Sequence, residues 1–371
     1  MQTDLETTLA TLVSMPSLTD DSAVCHEILH YILDELKTYD LFIETDFDRA
    51  NPWILATTQN TRKPEILLST HLDVLPAPDS MFHMTKRDGI LYGRGVFDMK
   101  LAAACYLQFI RTHADILHEL NIGFLFNTDE EKICASMPDI LGTGLRPKIV
   151  LLPDGGDNWA IERRAKGFYG IELIATGKTA HGSRPWEGQN ALHTLLDALQ
   201  PLRERYTYKD ENSLTFMVNS ITSGKAFNQL PDHASALLDF RCFNTEELHE
   251  CHRFVDDIVE EYGLTLNVLH SGDAMQFNEA SPHVQKFLQS YRIIKGREPT
   301  YTDSFGGSDA RFYIPLNIPC IVVEPNGGGR HANNEWVEAE DIQLFYKLIE
   351  HWALRATAIP LSPKRSEKSL V

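Results

Sequence analysis

Four short runs limit what this chain can fold into. Glu65–Ser69 (EILLS), Ile122–Asn127 (IGFLFN), Ile149–Leu152 (IVLL) and Cys320–Glu324 (CIVVE) carry Ile, Leu, Val or Phe on both parities. A strand that is apolar on both faces has to be covered on both, which calls for helices above and below a largely parallel sheet. Residues 4–15 and 22–37 show the helical period, and helical stretches alternate with the apolar runs after them. The fold class to expect is α/β, with a mixed, mostly parallel sheet flanked by helices.

Between roughly Gly167 and Phe277 the pattern changes. Tyr169–Thr176 alternates polar with apolar, a helix runs from about Asn190 to Tyr206, and Leu214–Ile221 and Ala234–Phe243 alternate again. A second helix, Glu246–Tyr262, precedes the strand-like Leu264–Leu269. This β-α-β-β-α-β order describes a two-layer α+β unit that can bury its own core. Ser281–Ile294 is helical, and Cys320 resumes the first pattern. With 371 residues the chain is too long for one ordinary core. We therefore expect a discontinuous domain, 1–166 with 278–371, and an inserted one, 167–277.

The net charge of −18 argues against nucleic acid and anionic membrane as partners, because a polyanion is repelled before contact. Small anions stay open wherever local cations invert the potential. The opening MQTDLETTLATLVSMPSLTDD lacks the basic start and apolar run of an export signal, and no stretch reaches the length of a membrane span. Cytoplasm is the expected compartment. The six cysteines form no Cys-x-x-Cys pair, and several sit inside apolar patterns, so neither disulfides nor a thiolate metal site is expected. The tail from about Pro360 to Val371 reads as a solvated end.

Chemistry gathers at the ends of the apolar runs. His71 and Asp73 in STHLDVLP are two residues apart, a spacing that places imidazole and carboxylate on one face of a strand end. Asp98 in LYGRGVFDMK follows two glycines and opens a helix, where capping would be its ordinary use. Glu130 and Glu131 in FLFNTDEEK follow a buried strand; a solvated loop would carry such a run without further purpose. Asp154 in IVLLPDGG and His331 in CIVVEPNGGGRHANNE stand in the same relation to their strands. Each has an ordinary explanation alone. Together, five segments deliver His, Asp or Glu to one rim of one sheet, the rim where open α/β sheets form ligand sites. Imidazoles with carboxylates and no thiolates suit zinc, cobalt or manganese, and the oxygens are too few for a calcium cage.

These segments, with GKTAHGSRPWEGQNA, FNQLPD and GGGRHANNEWV, resemble the dinuclear zinc aminoacylases and carboxypeptidases, a family that includes acetylornithine deacetylase, succinyl-diaminopimelate desuccinylase and glutamate carboxypeptidase. The resemblance covers nearly the whole chain in the family's order. It implies a zinc-peptidase-like catalytic domain and an inserted lid and dimerisation domain. It also implies that His71 and Asp154 hold one metal, that Glu131 and His331 hold the other, and that Asp98 bridges them. Many relatives carry Glu at the position of Asp154, and Asp has a shorter reach. In the same reading Asp73 orients His71 and Glu130 is the general base. His181 reaches into the partner's site of a homodimer to stabilise the oxyanion. Asn228 and Arg241 lie near the substrate, and Arg241 binds its free carboxylate, unless it is a structural ion-pair partner.

The reaction implied is attack on an amide carbonyl by a water shared between two metals. SFGGSDARFY resembles the segment of acetylornithine deacetylases and desuccinylases, with Arg311 as a further carboxylate contact, which favours N-acyl amino acids as substrates. A dipeptidase or carboxypeptidase would use the same metals and water. A non-catalytic metal-dependent amino-acid or peptide binder is the alternative from another class; competent side chains at every ligand position and at Glu130 argue against it.

Overall fold

The computed structural model describes residues 4–132, 134–156 and 158–357. The tail beyond Pro360 lies outside them. The chain forms two compact units: Met1–Arg163 with Phe277–Asp303 and Phe312–Val371, and Arg164–Gln276 with Ser304–Arg311.

The first unit is built on a six-stranded sheet in the order Phe42–Asp46, Trp53–Thr57, Ile122–Asn127, Ile66–His71, Val150–Leu152, Cys320–Val322. The first two pairings are antiparallel and the remaining three parallel, giving the mixed, mostly parallel sheet that the apolar runs call for. Every residue of Trp53–Thr57, Ile66–His71 and Ile122–Asn127 is buried, as expected of strands covered on both faces. Tyr106 and Phe109 of the helix Lys100–Thr112 pack on Phe124, and Trp352 of the helix Ala339–Thr357 meets Phe287 edge-on at 5.2 Å between ring centroids.

A smaller sheet of the same unit orders Gly327–Gly328, Trp336–Glu338, Ile90–Tyr92 and Thr85–Arg87. Its register pairs Trp336 with Tyr92 and Glu338 with Ile90. The segment that carries His331 is thereby laid beside the one that leads to Asp98.

The second unit has the β-α-β-β-α-β order in sequence. Its sheet runs Thr215–Ser223, His233–Cys242, Gly167–Thr176, Thr265–Gly272, antiparallel throughout. Ala234, Ala236, Leu238, Phe240 and Cys242 alternate into its core, the period of a sheet covered on one face. Asn190 and Asn244 cap the helices Ala191–Arg205 and Thr245–Tyr262, each side chain accepting from two backbone N–H groups.

One boundary differs from the sequence reading, which assigns 304–311 to the first domain. That segment clusters with the second unit. The Lys166 N–H donates to the Ser304 carbonyl at 3.1 Å, and the Phe305 ring meets Phe243 edge-on at 5.6 Å. Arg311 accordingly belongs to the second unit. No described helix is long and apolar enough to cross a membrane.

Candidate metal centre

Three adjacent parallel strands end together. His71 closes its strand in register with Asn127, and the loop after Asn127 carries Glu130 and Glu131. Asp154 follows the neighbouring strand Val150–Leu152. Asp98 enters from the loop before the helix Lys100–Thr112, and His331 from the loop before Trp336.

These residues form two overlapping groups, His71 with Asp98 and Asp154, and Asp98 with Glu131 and His331; in each, one ligand atom per residue lies within 4.8 Å of the others. The groups share Asp98 through different oxygens. Its Oδ1 is 3.2 Å from Nε2 of His71, and its Oδ2 is 3.2 Å from Nε2 of His331. The same His331 nitrogen lies 3.2 Å from Oε2 of Glu131, and Oε2 of Glu130 lies 3.7 Å from Nε2 of His71.

The side chains suit a cation. Nδ1 of His71 lies 3.0 Å from the backbone carbonyl of Asp73, which can only accept, so that nitrogen carries a proton and Nε2 is the atom that faces Asp98. Nε2 is buried and outside hydrogen-bond geometry, the condition of a ligand atom aimed at an ion. The carboxylates of Asp98 and Glu131, bonded to the His331 ring, push it up to about 10. Burial opposes charge on His71, yet Asp73, Asp98 and Glu130 hold it well above the usual imidazole range. Burial would raise the Asp98 carboxyl, but its close contacts with His331 and His71 and the charge of Arg330 hold it well below.

Two details of the local geometry bear on these residues. Asp73 meets the His71 ring more closely through its carbonyl than through its carboxylate. Its Oδ1 is 3.5 Å from Nδ1, while the carboxylate accepts from Thr19 Oγ1 at 2.8 Å and from the N–H groups of Glu130 and Glu131 at 3.2 and 3.1 Å. Asp73 therefore ties the Glu130–Glu131 turn to the end of the His71 strand. Asp98 does not cap the helix that follows it: the cap position is Met99, without a side-chain bond. Its carboxylate is turned to the histidines instead.

Sequence reasoning missed Glu335. Fully buried, its carboxylate accepts from the N–H groups of Gly95, Phe97 and Asp98 and from Nη1 of Arg94 at 2.8 Å. It fixes the turn that presents Asp98, where Gly95 takes a left-handed φ of +86° and a Cβ would lie 2.9 Å from the Lys100 side chain. An acid in HANNEWV looks like any surface acid until its partners are seen. Arg330, beside His331, was missed as well.

The remaining expected residues lie in the second unit. His181 is exposed; Ser183 N–H donates to its Nδ1 at 3.2 Å, so the ring proton sits on Nε2. A β-bridge joins His181 to Gln229, beside the exposed Asn228. Arg241 and Arg311 both lie over the Phe168 ring, at 5.9 and 5.3 Å, and pair with Asp239 and Asp309.

The profile of peptidase family M20/M25/M40 matches residues 67–355. Among similar curated proteins are succinyl-diaminopimelate desuccinylases from Hahella chejuensis, 24% identical over 92% of this chain and 94% of the relative, and from Colwellia psychrerythraea, 26% identical over 92% of each. Among solved structures, a Staphylococcus aureus tripeptidase superposes with a TM-score of 0.76 at 20% identity, covering 96% of this chain and 98% of its own. An M20 family metallo-carboxypeptidase from Sulfolobus solfataricus gives 0.73 at 19%, covering 95% and 99%. The chain belongs to peptidase family M20/M25/M40 and is, with that family, a metal-dependent hydrolase of amide or peptide bonds.

Proposed function

We propose that this protein removes an acetyl or succinyl group from a small N-acyl amino acid, using two divalent cations held by His71, Asp98, Asp154, Glu131 and His331. Zinc is the first choice for this donor set, with cobalt or manganese as substitutes. The observation that carries the reading is the shared carboxylate, since Asp98 offers a separate oxygen to each histidine, as a bridge between two ions requires. Two such ions, when bound, supply Lewis acidity to water and to the scissile carbonyl.

Glu130 moves the proton. Its carboxylate stands beside the ligand groups and is about a fifth exposed, a placement that lets it take the proton of the attacking water and return it to the leaving amine. Asn228 contacts the substrate, and Arg241 and Arg311 hold its carboxylate; their common position over Phe168 supports this. His181, with its proton on Nε2, donates to the developing oxyanion of a partner subunit, which makes the working form a homodimer. Six buried cysteines, none of them in a disulfide, support a reducing compartment, the cytoplasm. The desuccinylase relatives favour the deacylase branch. A peptidase of the same family is the second reading, favoured by the tripeptidase and carboxypeptidase superpositions.

The test is hydrolysis by metal-stripped and zinc- or cobalt-reconstituted protein, against N-acetyl and N-succinyl amino acids beside dipeptides. Metal-restored release of acetate or succinate is expected. Glu130→Gln should keep both ions and lose on the order of 100- to 10,000-fold in turnover. Cleavage of dipeptides alone would move the protein to the second reading, and two bound ions without turnover would remove catalysis.

A further inference from the structure

Arg330 lies among carboxylates of the candidate metal centre. Its Nη2 is 2.6 Å from Oε2 of Glu324, its Nη1 3.3 Å from Oδ1 of Asp154, and its Nε 3.5 Å from Oδ2 of Asp98. Glu324 is fully buried and the arginine side chain only 30% exposed, so this ion pair is part of the floor of the centre. A guanidinium does not lose its proton in a protein, so the charge is permanent.

Both positions are affected. Asp154 belongs to the His71 group alone, and the Asp98 oxygen that Arg330 reaches is the one that faces His331, so one ligand oxygen of each group is paired to the arginine. A divalent ion arriving at either position meets a ligand already paired to a cation and is repelled by it at short range.

We propose that Arg330 is a built-in counter-charge. It neutralises Asp98, Asp154 and Glu324 when no ion is bound, and it competes for Asp98 and Asp154 with the ions of both positions. Each position therefore binds metal more weakly than it would without the arginine. This inference rests on reading both groups as metal positions.

The experiment is a calorimetric titration of the metal-stripped wild type, Arg330→Gln and Arg330→Lys with Zn²⁺, together with thermal unfolding of the stripped proteins. Glutamine keeps an amide donor for Glu324 without the charge. The wild type should take up two ions, and Asp154→Asn should weaken or remove one of them. In Arg330→Gln uptake of the ions should tighten by about tenfold or more, while the stripped variant unfolds at lower temperature. Arg330→Lys should stay near the wild type in both. A residue that only props the loop would move both quantities downward. Metal uptake that is unchanged or looser in folded Arg330→Gln therefore overturns the proposal. Should Arg330→Gln not fold, combining it with Glu324→Gln removes the acid that faces residue 330, and the same tightening is required of it. A wild type that takes up one ion or none overturns the two-metal reading and this proposal with it, and shows itself before any variant is made.

Discussion

Asp73 accepts from Thr19 and from the N–H groups of Glu130 and Glu131, while its own carbonyl holds the ring of His71. One fully buried residue thus sets the ring of one proposed ligand and the turn that carries another and the proposed proton carrier. Asp73→Asn leaves one acceptor oxygen for two N–H groups and turns an NH2 towards the other. We expect a loss of about 1–3 kcal/mol in urea unfolding, as for a buried group left unsatisfied, and a ten- to hundredfold fall in metal affinity or turnover. Retention of both within a factor of two would assign the turn's order to something else. The grouping of His71, Asp98, Glu131, Asp154 and His331 was legible in the sequence because each stands just past a recognisable run or turn. The supporting role of Asp73 was not: spacing says which side chains can be neighbours, but not whether carbonyl or carboxylate makes the bond. Glu335 and Arg330 left no signal for the same reason, since their partners lie about 240 and 180 positions away in the chain.

Among the elements, the parallel strands were the most legible, because apolar side chains on both parities have few alternatives to burial on both faces. The segment 304–311 was not, as Ser304–Arg311 follows a strand of the first unit and only its contacts with Lys166 and Phe243 assign it to the second. The loop from Arg94 to Asp98 shows what local pattern leaves out. Its glycines announce a turn, but the turn is held by Glu335, delivered by the pairing of Trp336–Glu338 with Ile90–Tyr92. Arg94 and Glu335 form a pair that is almost wholly buried, at 2.8 Å. Arg94→Met leaves the carboxylate buried beside backbone donors alone. Breaking such a pair from one side costs on the order of 3–5 kcal/mol, which denaturant unfolding of the variant would read. Since the turn presents Asp98, uptake of both ions should weaken together in this variant, whereas a loss confined to one ion would contradict the placement of Asp98 between the two groups.

For the molecule as a whole, the exchange of protons for metal at the centre ties stability to pH. His331, raised to about 10 in the metal-free protein, and His71, also raised, bind their protons more tightly folded than unfolded. The stability this confers is complete below the ordinary imidazole pKa of about 6.5 and is lost as pH rises through the folded value. Lys100 works in the opposite sense. Its burial lowers it to about 7, so above that pH the unfolded chain holds the extra proton and stability rises with pH. The two effects overlap in the metal-stripped protein, and its unfolding temperature alone would not separate them. The difference between metal-loaded and metal-stripped protein does. Lys100 contributes to both forms and cancels, whereas the ion displaces the histidine protons and gives up progressively less to do so as pH rises. The gap in unfolding temperature at fixed free zinc should therefore widen from about pH 6.5 towards pH 10, by an amount that Arg330→Lys leaves nearly unchanged and His331→Gln, which removes a titrating ligand, reduces. A gap independent of pH would mean that the ion does not replace the protons of these two rings.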